Sequence, residues 1–317
     1  MPYAYDPEVA PWVAMIPTME LTDFRFMRSL GEEVNAGLAS YEPPIPVDKH
    51  DTTVPGPVGA PRVPVRVYAP ASHDGPLPGV LFIHGGGFVM GSIRQFDAMT
   101  TRIAAEVGAV VVSVEYRLAP ENPFPAGLED CFAALTWMVK SATELRLDPD
   151  RVAVAGESAG GGLAAALALL ARDRGGPALC YQFLAVPLID DRMTTQSMRD
   201  YVDTPMWNRP AAEVSWDCYL GEGRRGTANV SRYAAPARAE DLSGLPPAFV
   251  SACQYDPLRD ENLAYAQRLA HADVPTELCL YPGVLHGGQI PETTVTQRIN
   301  ADMIAALSRG LSVAARG

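Results

Sequence analysis

The stretch Val154-Ala155-Gly156-Glu157-Ser158-Ala159-Gly160-Gly161 decides the fold of this chain, because it places one serine between two glycines. The apolar residues 151–155 before the serine predict a short buried strand, and the Ala- and Leu-rich residues 159–172 after it predict a helix. The turn between them is so tight that a flanking Cβ atom would clash with neighbouring backbone. This arrangement predicts a nucleophilic hydroxyl group at a sheet edge, above the positive end of a helix. For the pentapeptide alone, the alternative is an ordinary glycine-rich turn.

Composition restricts the classes of function. The chain has 317 residues, of which 48% are hydrophobic, so it can bury a large core. Its net charge of −12 argues against nucleic acid and membrane partners, because anionic partners require a basic face. No secretory signal or membrane-spanning stretch is visible, and the five scattered cysteines form no Cys-x-x-Cys pair. These features predict a cytoplasmic protein with free thiols and without a metal site.

Short apolar strands alternate with helices along most of the chain. After an alternating segment at 63–68, the predicted strands are 80–83, 109–114, 151–155, 183–189, 247–254 and 276–281. The predicted helices are 96–107, 128–145, 159–172, 258–272 and 294–313. Apolar strands separated by helices predict a largely parallel sheet with both faces covered and an active site at the carboxyl ends of the strands.

Two regions fall outside this alternation. Residues 41–61 are rich in Pro, Gly and Asp and predict a connecting loop. Residues 190–244 are long, polar and irregular, which is unusual for a plain loop inside a compact domain. We therefore expect 190–244 to be an inserted cap that works together with the N-terminal segment 1–45. The catalytic domain would then comprise 46–189 and 245–317.

The base that activates a serine can be found by elimination among five histidines. His50 and His73 lie in predicted loops before the main sheet, and His84 begins a glycine run. His271 lies near the end of a predicted helix, where a solvated histidine is usual. His286 remains, and it follows the last predicted strand by a short loop. This position at the carboxyl edge of the sheet predicts that His286 is the base.

The acidic partner of the base should lie between the serine and the histidine in the chain. Asp256 directly follows the predicted strand 247–254, which precedes the strand leading to His286. Asp190 also follows a strand, but a turn or cap role suits it better. Asp260 and Glu261 begin the next helix, where acids complement the helix dipole. Asp256 is therefore the predicted acid.

A glycine run after the predicted strand 80–83 can stabilise an oxyanion. In His84-Gly85-Gly86-Gly87-Phe88, the absence of Cβ atoms lets backbone N–H groups turn toward a bound carbonyl group. We expect Gly85, Gly86 and Ala159 to donate, the last because it follows the nucleophile. A phosphate cradle is the competing use of such loops. The chain has only two lysines, and neither follows a glycine with phosphate-loop spacing, so a nucleotide cofactor is not expected.

In combination, these motifs resemble those of the hormone-sensitive-lipase-like branch (bacterial family IV) of the α/β-hydrolases. The resemblance covers most of the chain, from about residue 65 to the C-terminal helix. It rests on the following segments: His84-Gly85-Gly86-Gly87-Phe88, Tyr116-Arg117-Leu118-Ala119-Pro120-Glu121, Phe124-Pro125-Ala126, Gly156-Glu157-Ser158-Ala159-Gly160-Gly161, Asp256-Pro257-Leu258-Arg259-Asp260-Glu261 and His286-Gly287.

The resemblance implies an α/β-hydrolase fold with a mostly parallel eight-stranded sheet, a helical cap and metal-free, cofactor-free ester hydrolysis. It implies a Ser158–Asp256–His286 triad, a preference for short to medium acyl chains, and pairing of two copies through the last strand and helix. Two residues depart from the family pattern. Glu157 stands where an aspartate is usual, and Gly288 stands where an aromatic residue commonly follows the histidine and glycine.

The sequence thus predicts a serine carboxylesterase that acts on small-molecule esters. The same residues would serve a hydrolase of an amide, lactone or carbamate. A ligand receptor without catalysis is a further alternative, but such a protein would be expected to lack a member of the triad. Candidates for lining the substrate pocket, which could equally be packed in the cap core, are Phe88, Met206, Trp207, Trp216 and Tyr219.

Overall fold

The computed structural model describes residues 3–16, 23–26, 28–29, 41–288 and 293–315. These residues form one sheet of eight strands in the order β1-β2-β4-β3-β5-β6-β7-β8. Strand β2 is antiparallel to both β1 and β4, and the other pairs are parallel. The strands are β1 (Val47–Val54), β2 (Val63–Pro70), β3 (Leu77–Ile83), β4 (Val110–Val114), β5 (Leu147–Glu157), β6 (Tyr181–Ala185), β7 (Ala248–Tyr255) and β8 (Thr276–Leu285). This is the mostly parallel sheet that the sequence predicts.

Helices cover both faces of the sheet, and a hydrophobic core lies on each side. The helices are α1 (Ala10–Val13), α2 (Asp97–Arg102), α3 (Ala126–Lys140), α4 (Ala142–Leu145), α5 (Ala159–Arg174), α6 (Gln196–Asp200), α7 (Arg209–Leu220), α8 (Arg259–His271) and α9 (Thr294–Gly310). Helix α5 is buried along its first thirteen residues, 159–171, because it packs on the centre of the sheet beneath β5 and β6. Its small Gly and Ala side chains permit that close approach.

The prediction that 41–61 is a connecting loop was wrong. Residues 47–54 form β1, which pairs antiparallel with β2 from Val47 opposite Pro70 to Val54 opposite Val63. His50 therefore lies on a strand and not in a loop. Strand β1 is at the edge of the sheet and most of its side chains are exposed, so it lacks the apolar alternation by which a half-buried strand is identified.

Several other predicted elements have different ends, and the strand predicted at 276–281 runs to Leu285, directly before His286. The strand predicted at 183–189 ends at Ala185, because Val186 takes a left-handed φ of +39° and turns the chain. The backbone N–H of Leu188 then bonds to Ser158 O at 3.0 Å instead of to a neighbouring strand. The helix predicted at 128–145 is divided at Ser141 into α3 and α4.

Residues 190–244 contain α6, α7 and a short 3₁₀ turn, Pro236–Arg238. The two ends of this region are joined by a buried ion pair in which Arg238 Nε lies 2.5 Å from Asp191 Oδ1. In the N-terminal segment 1–45, residues 1–2, 17–22, 27 and 30–40 lie outside the described residues. The division into catalytic domain and cap remains a prediction.

Candidate active site

The turn at Ser158 has the steric origin that the sequence predicts. Ser158 has a φ of +57° and a ψ of −121°, a backbone conformation that residues other than glycine rarely adopt. A Cβ atom on Gly156 would lie 2.2 Å from Gly160 O, and one on Gly160 would lie 2.0 Å from Ile83 O. Both glycines are therefore required for strand β5 to turn directly into helix α5.

Ser158 is held in this conformation by the neighbouring strand. Its backbone N–H donates to Ala185 O at 2.8 Å, and its carbonyl oxygen accepts from Gly162 and Leu188. The side chain is 6% exposed at the first turn of α5. The helix N-terminus therefore presents its unpaired N–H groups and its positive dipole next to the hydroxyl group.

The residues predicted as base and acid lie next to Ser158. His286 Nε2 lies 2.8 Å from Ser158 Oγ, and His286 Nδ1 lies 2.7 Å from Asp256 Oδ2. The Asp256 carboxylate is fully buried and also accepts from the backbone N–H of Leu258 at 2.8 Å. Since a carboxylate can only accept, Nδ1 carries the proton and Nε2 accepts from the serine hydroxyl group. This geometry allows His286 to remove a proton from Ser158.

The glycine run after β3 lies beside Ser158. A Cβ atom on Gly85 would lie 3.4 Å from Ser158 Cβ, and one on Gly86, whose φ is +117°, would lie 2.2 Å from Met90 O. The backbone N–H groups of Gly85, Gly86 and Ala159 donate no hydrogen bond to any other described residue. Three donors are therefore available close to the point where a tetrahedral oxyanion would form.

Buried side-chain rings pack against this loop. His84 is fully buried, its ring stacks on Tyr116 at 4.3 Å between centroids, and the Tyr116 hydroxyl group donates to His84 O at 3.1 Å. Burial lowers the pKa of His84 to about 4, so the ring is neutral near pH 7. His84 thus contributes packing and no positive charge. Arg28, which sequence analysis did not single out, also holds the loop by donating to Val89 O and Ala119 O.

The segment that begins at Tyr116 is pinned by its own contacts. The Arg117 side chain makes two 2.8 Å hydrogen bonds to the buried Asp130 carboxylate. Ala119 N–H donates to Phe88 O at 2.9 Å, which ties this segment to the glycine run. These contacts therefore fix the segment beside the glycine run.

The candidate pocket residues fall into three environments. The Trp207 ring lies 5.7 Å from the His286 ring, so it borders the reactive centre. Phe88, Trp216 and Tyr219 form a buried aromatic cluster in which Phe88 stacks on Tyr219 at 4.0 Å. Met206 is 45% exposed. Trp207 thus differs from the other candidates, because it alone among them contacts a ring of the predicted triad.

The two residues that depart from the family pattern lie in or beside the loop that carries His286. Burial raises the pKa of Glu157 to about 7, and a Cβ atom on Gly287 would lie 3.6 Å from its Oε1. Glu157 therefore faces the loop that carries His286. Gly288 has a φ of +58°, and a Cβ atom there would lie 2.8 Å from Ile299 Cδ1. A larger residue at Gly288 would need the Ile299 side chain to shift and would be strained at this positive φ, so glycine suits the position.

The N-terminal segment forms hydrogen bonds with the chain before and after His286, a feature that sequence analysis missed. Asp6 N–H donates to Gly283 O at 2.9 Å, just before the histidine. Glu8 accepts from the backbone N–H and the hydroxyl group of Thr294, at the start of α9. These are single contacts from a distant part of the chain, so no local sequence pattern could reveal them.

Within the described residues, no cluster of His, Cys, Asp or Glu side chains could hold a metal ion. No helix in the described ranges is long and apolar enough to cross a membrane. All five cysteines are free thiols.

Known proteins share both this sequence and this fold. A family described as "alpha/beta hydrolase fold" matches residues 80–290, which is more than half of the chain. The chain belongs to this family. Carboxylesterase NlhH of Mycobacterium tuberculosis is 42% identical over 230 residues, covering 72% of this chain and 72% of NlhH. Esterase LipI of the same organism is 38% identical over 262 residues, covering 80% of each chain.

A solved structure described as bacterial heroin esterase superimposes with a TM-score of 0.93. The two chains are 43% identical, and the match covers 97% of this chain and 98% of the other. These findings confirm the predicted α/β-hydrolase fold and the hormone-sensitive-lipase-like resemblance. Together they identify the protein as a carboxylic ester hydrolase.

Proposed function

We propose that this protein is a serine carboxylesterase in which Ser158 is the nucleophile, His286 the base and Asp256 its acidic partner. The observation that supports these roles most strongly is the continuous chain of hydrogen bonds from Asp256 Oδ2 through the imidazole ring to Ser158 Oγ, with distances of 2.7 and 2.8 Å. The substrate is a small-molecule ester, and neither a metal nor a cofactor takes part in the proposed reaction.

In the first half of the reaction, Ser158 Oγ attacks the ester carbonyl carbon while its proton moves to His286 Nε2. The carbonyl oxygen becomes an oxyanion that accepts hydrogen bonds from Gly85, Gly86 and Ala159. The imidazolium ion then donates its proton to the leaving alcohol, and an acyl-serine remains. Asp256 stabilises the imidazolium ion and keeps its proton on Nδ1.

In the second half, water attacks the acyl-serine as His286 Nε2 accepts one of its protons. A second oxyanion forms and is stabilised by the same three N–H groups. When the tetrahedral intermediate collapses, His286 returns the proton to Ser158 Oγ. The carboxylic acid leaves, and the enzyme is restored.

The position of Trp207 supports a proposed substrate range. Its ring lies close to both His286 and the glycine run, beside the proposed nucleophile. We propose that short to medium acyl chains fit this space best. In this proposal, residues 190–244 and the N-terminal segment 1–45 form a cap over the carboxyl edge of the sheet, and the catalytic domain comprises 46–189 and 245–317.

A chain-length series of p-nitrophenyl esters tests this proposal, with matched anilides measured beside them. We expect the highest kcat/KM between acetate and octanoate, and at least 100-fold lower values for the anilides. A maximum at longer chains would contradict the proposed acyl preference. Faster cleavage of the anilides would favour an amidase, and no turnover of any activated ester would favour a receptor without catalysis.

We further propose that two copies pair through β8 and α9. Strand β8 is at the edge of the sheet, and Leu278 and Leu280 on it are 45% and 43% exposed. Apolar side chains on an open edge strand favour pairing with another strand. Sedimentation velocity should show a dimer that the Leu278→Lys, Leu280→Glu double variant dissociates. A monomeric parent protein would contradict this pairing.

We propose a cytoplasmic location as well. Its support is the state of the cysteines, which are all free, with Cys131, Cys180 and Cys253 buried.

A further inference from the structure

The Trp207 indole ring lies next to the imidazole ring of His286. The two ring centroids are 5.7 Å apart, and the ring planes are inclined by 32°. Trp207 is 3% exposed, so the indole ring occupies a fixed place in the interior. At this separation, the face of a tryptophan ring attracts a cation. A charge that arises on His286 during the reaction would therefore lie within range of the indole π system.

Gly87 provides the space for this indole ring. A Cβ atom on Gly87 would lie 2.7 Å from Trp207 Cη2 and 2.4 Å from Ser215 Oγ. The proposed oxyanion donors are Gly85, Gly86 and Ala159, so the third glycine of the run has no role in binding the oxyanion. Its absent side chain instead lets Trp207 reach both the glycine run and His286.

The backbone around Trp207 is held in a costly conformation. Met206 has a left-handed φ of +67°, which a residue other than glycine adopts only when its surroundings impose it. Thr204 Oγ1 donates to Trp207 O at 2.7 Å, and Trp207 N–H donates to Pro205 O at 2.8 Å. Asn208 then caps helix α7 through Ala211 N–H. Contacts on both sides of Met206 thus fix the direction in which the indole ring points.

The described groups that face His286 differ in what they can do when the ring becomes charged. Asp256 accepts from Nδ1 at 2.7 Å, and Ser158 lies at Nε2. The Glu157 carboxyl group also interacts with the charge of the imidazole ring, and its pKa of about 7 leaves it only partly ionised at neutral pH. The Trp207 ring lies next to the imidazole ring and does not titrate.

We propose that Trp207 is a positioning residue for the catalytic base, with its indole face fixing the imidazole ring of His286 and stabilising the imidazolium ion formed as Ser158 attacks. The inference rests on the proposed role of His286. In this proposal, the indole ring stabilises the charged His286 ring, and Gly87 leaves space for the indole ring. The strained turn at Met206 sets the direction of the Trp207 side chain.

The test compares Trp207→Leu with Trp207→Phe in pH profiles of kcat/KM, because the ascending limb reports the base of the free enzyme. Leucine keeps an apolar cover but removes the π system. We expect Trp207→Leu to lower kcat about three- to tenfold and to move the limb to lower pH by about half a pH unit. In Trp207→Phe, both kcat and the pH of the ascending limb should stay close to those of the parent enzyme. The same limb should be found with acetate and hexanoate esters, since it does not depend on the substrate.

The sign of the shift separates this role from simple packing. If the indole ring only excludes water, its removal would hydrate the imidazolium ion and move the limb to higher pH. That result, or an unchanged limb in a folded Trp207→Leu protein, would overturn the proposal. Gly87→Ala is a second variant, which displaces the indole ring while the tryptophan remains, and it should shift the limb in the same direction as Trp207→Leu.

Two controls accompany these measurements. Trp137→Leu changes a tryptophan on helix α3, outside the site, and should leave the pH profile unchanged. Ser158→Ala distinguishes a failure of the role of Trp207 from a failure of the proposed function. If Ser158→Ala abolishes turnover while Trp207→Leu leaves the limb in place, only the role of Trp207 is wrong. If Ser158→Ala remains active, the proposed function fails first.

Discussion

His286 Nε2 lies 2.8 Å from Ser158 Oγ, although the two residues are 128 positions apart in the chain. The two residues lie close together because each follows a strand of one largely parallel sheet. Strand β5 leads into Ser158, and strand β8 leads into His286. The carboxyl ends of parallel strands share an edge, so this topology brings the proposed nucleophile, base and acid together.

Gly86→Ala should damage the oxyanion site. The new Cβ atom would lie 2.2 Å from Met90 O, so the loop has to move and its N–H groups lose their alignment. We expect kcat/KM for p-nitrophenyl butyrate to fall about 10²- to 10³-fold, the usual loss for one oxyanion donor. Gly75→Ala is the matched control, because Gly75 also has a positive φ but has open space around it. Equal losses of activity in the two variants would contradict this explanation.

Glu157→Gln should change how stability depends on pH. Burial raises the pKa of Glu157 from 4.5 to about 7, so the folded state holds its proton more tightly than the unfolded state. This contribution to stability is complete below pH 4.5 and is lost as pH rises through 7. Glutamine cannot ionise, so Tm of the variant relative to the parent should be higher at pH 8 than at pH 5.

The size of this change should correspond to about 1–3 kcal/mol in the free energy of unfolding. The matched control is Glu144→Gln on helix α4, where the side chain is exposed. Its Tm difference from the parent should be the same at pH 5 and pH 8. If Glu157→Gln behaves like Glu144→Gln, then Glu157 does not titrate in this range.

Glu8→Gln should loosen the start of helix α9. Glu8 accepts hydrogen bonds from the Thr294 backbone and hydroxyl group, and these bonds hold its pKa below the usual 4.5. Its stabilising effect is therefore present above pH 4.5 and is lost as pH falls through the folded-state pKa. Thermal unfolding at pH 7 should give a lower Tm for the variant, and the difference should shrink at high salt and at pH 3. A difference that does not depend on pH would exclude the charge as its cause.

The sequence predicted the parts of the site that local patterns encode. The serine turn is visible because Gly156 and Gly160 are sterically necessary, and His286 could be found because few histidines follow a predicted strand. The sheet was predictable where strands are buried on both faces, as β3 and β4 are. In each case a nearby physical requirement selects the residue type.

The remaining features depend on contacts that no local pattern reveals. Strand β1 was missed because its exposed side chains are polar, and its existence depends on pairing with β2. Phe88, Trp207 and Trp216 look alike in sequence, yet only Trp207 lies against His286. The long-range contacts of Arg28 and Glu8 do not affect the pattern of apolar residues along the sequence. Such features are determined by tertiary packing.

The most direct test of the central claim is burst kinetics of Ser158→Ala beside the parent enzyme with p-nitrophenyl butyrate. Under conditions in which deacylation is slower than acylation, the parent should release about one equivalent of p-nitrophenol per active site in an initial burst. Ser158→Ala should show no burst and a kcat lower by about 10⁴-fold or more, with Tm within a few degrees of the parent value. His271→Ala, a histidine at the exposed end of α8, should behave like the parent. A folded Ser158→Ala protein that keeps near-normal turnover would contradict the account.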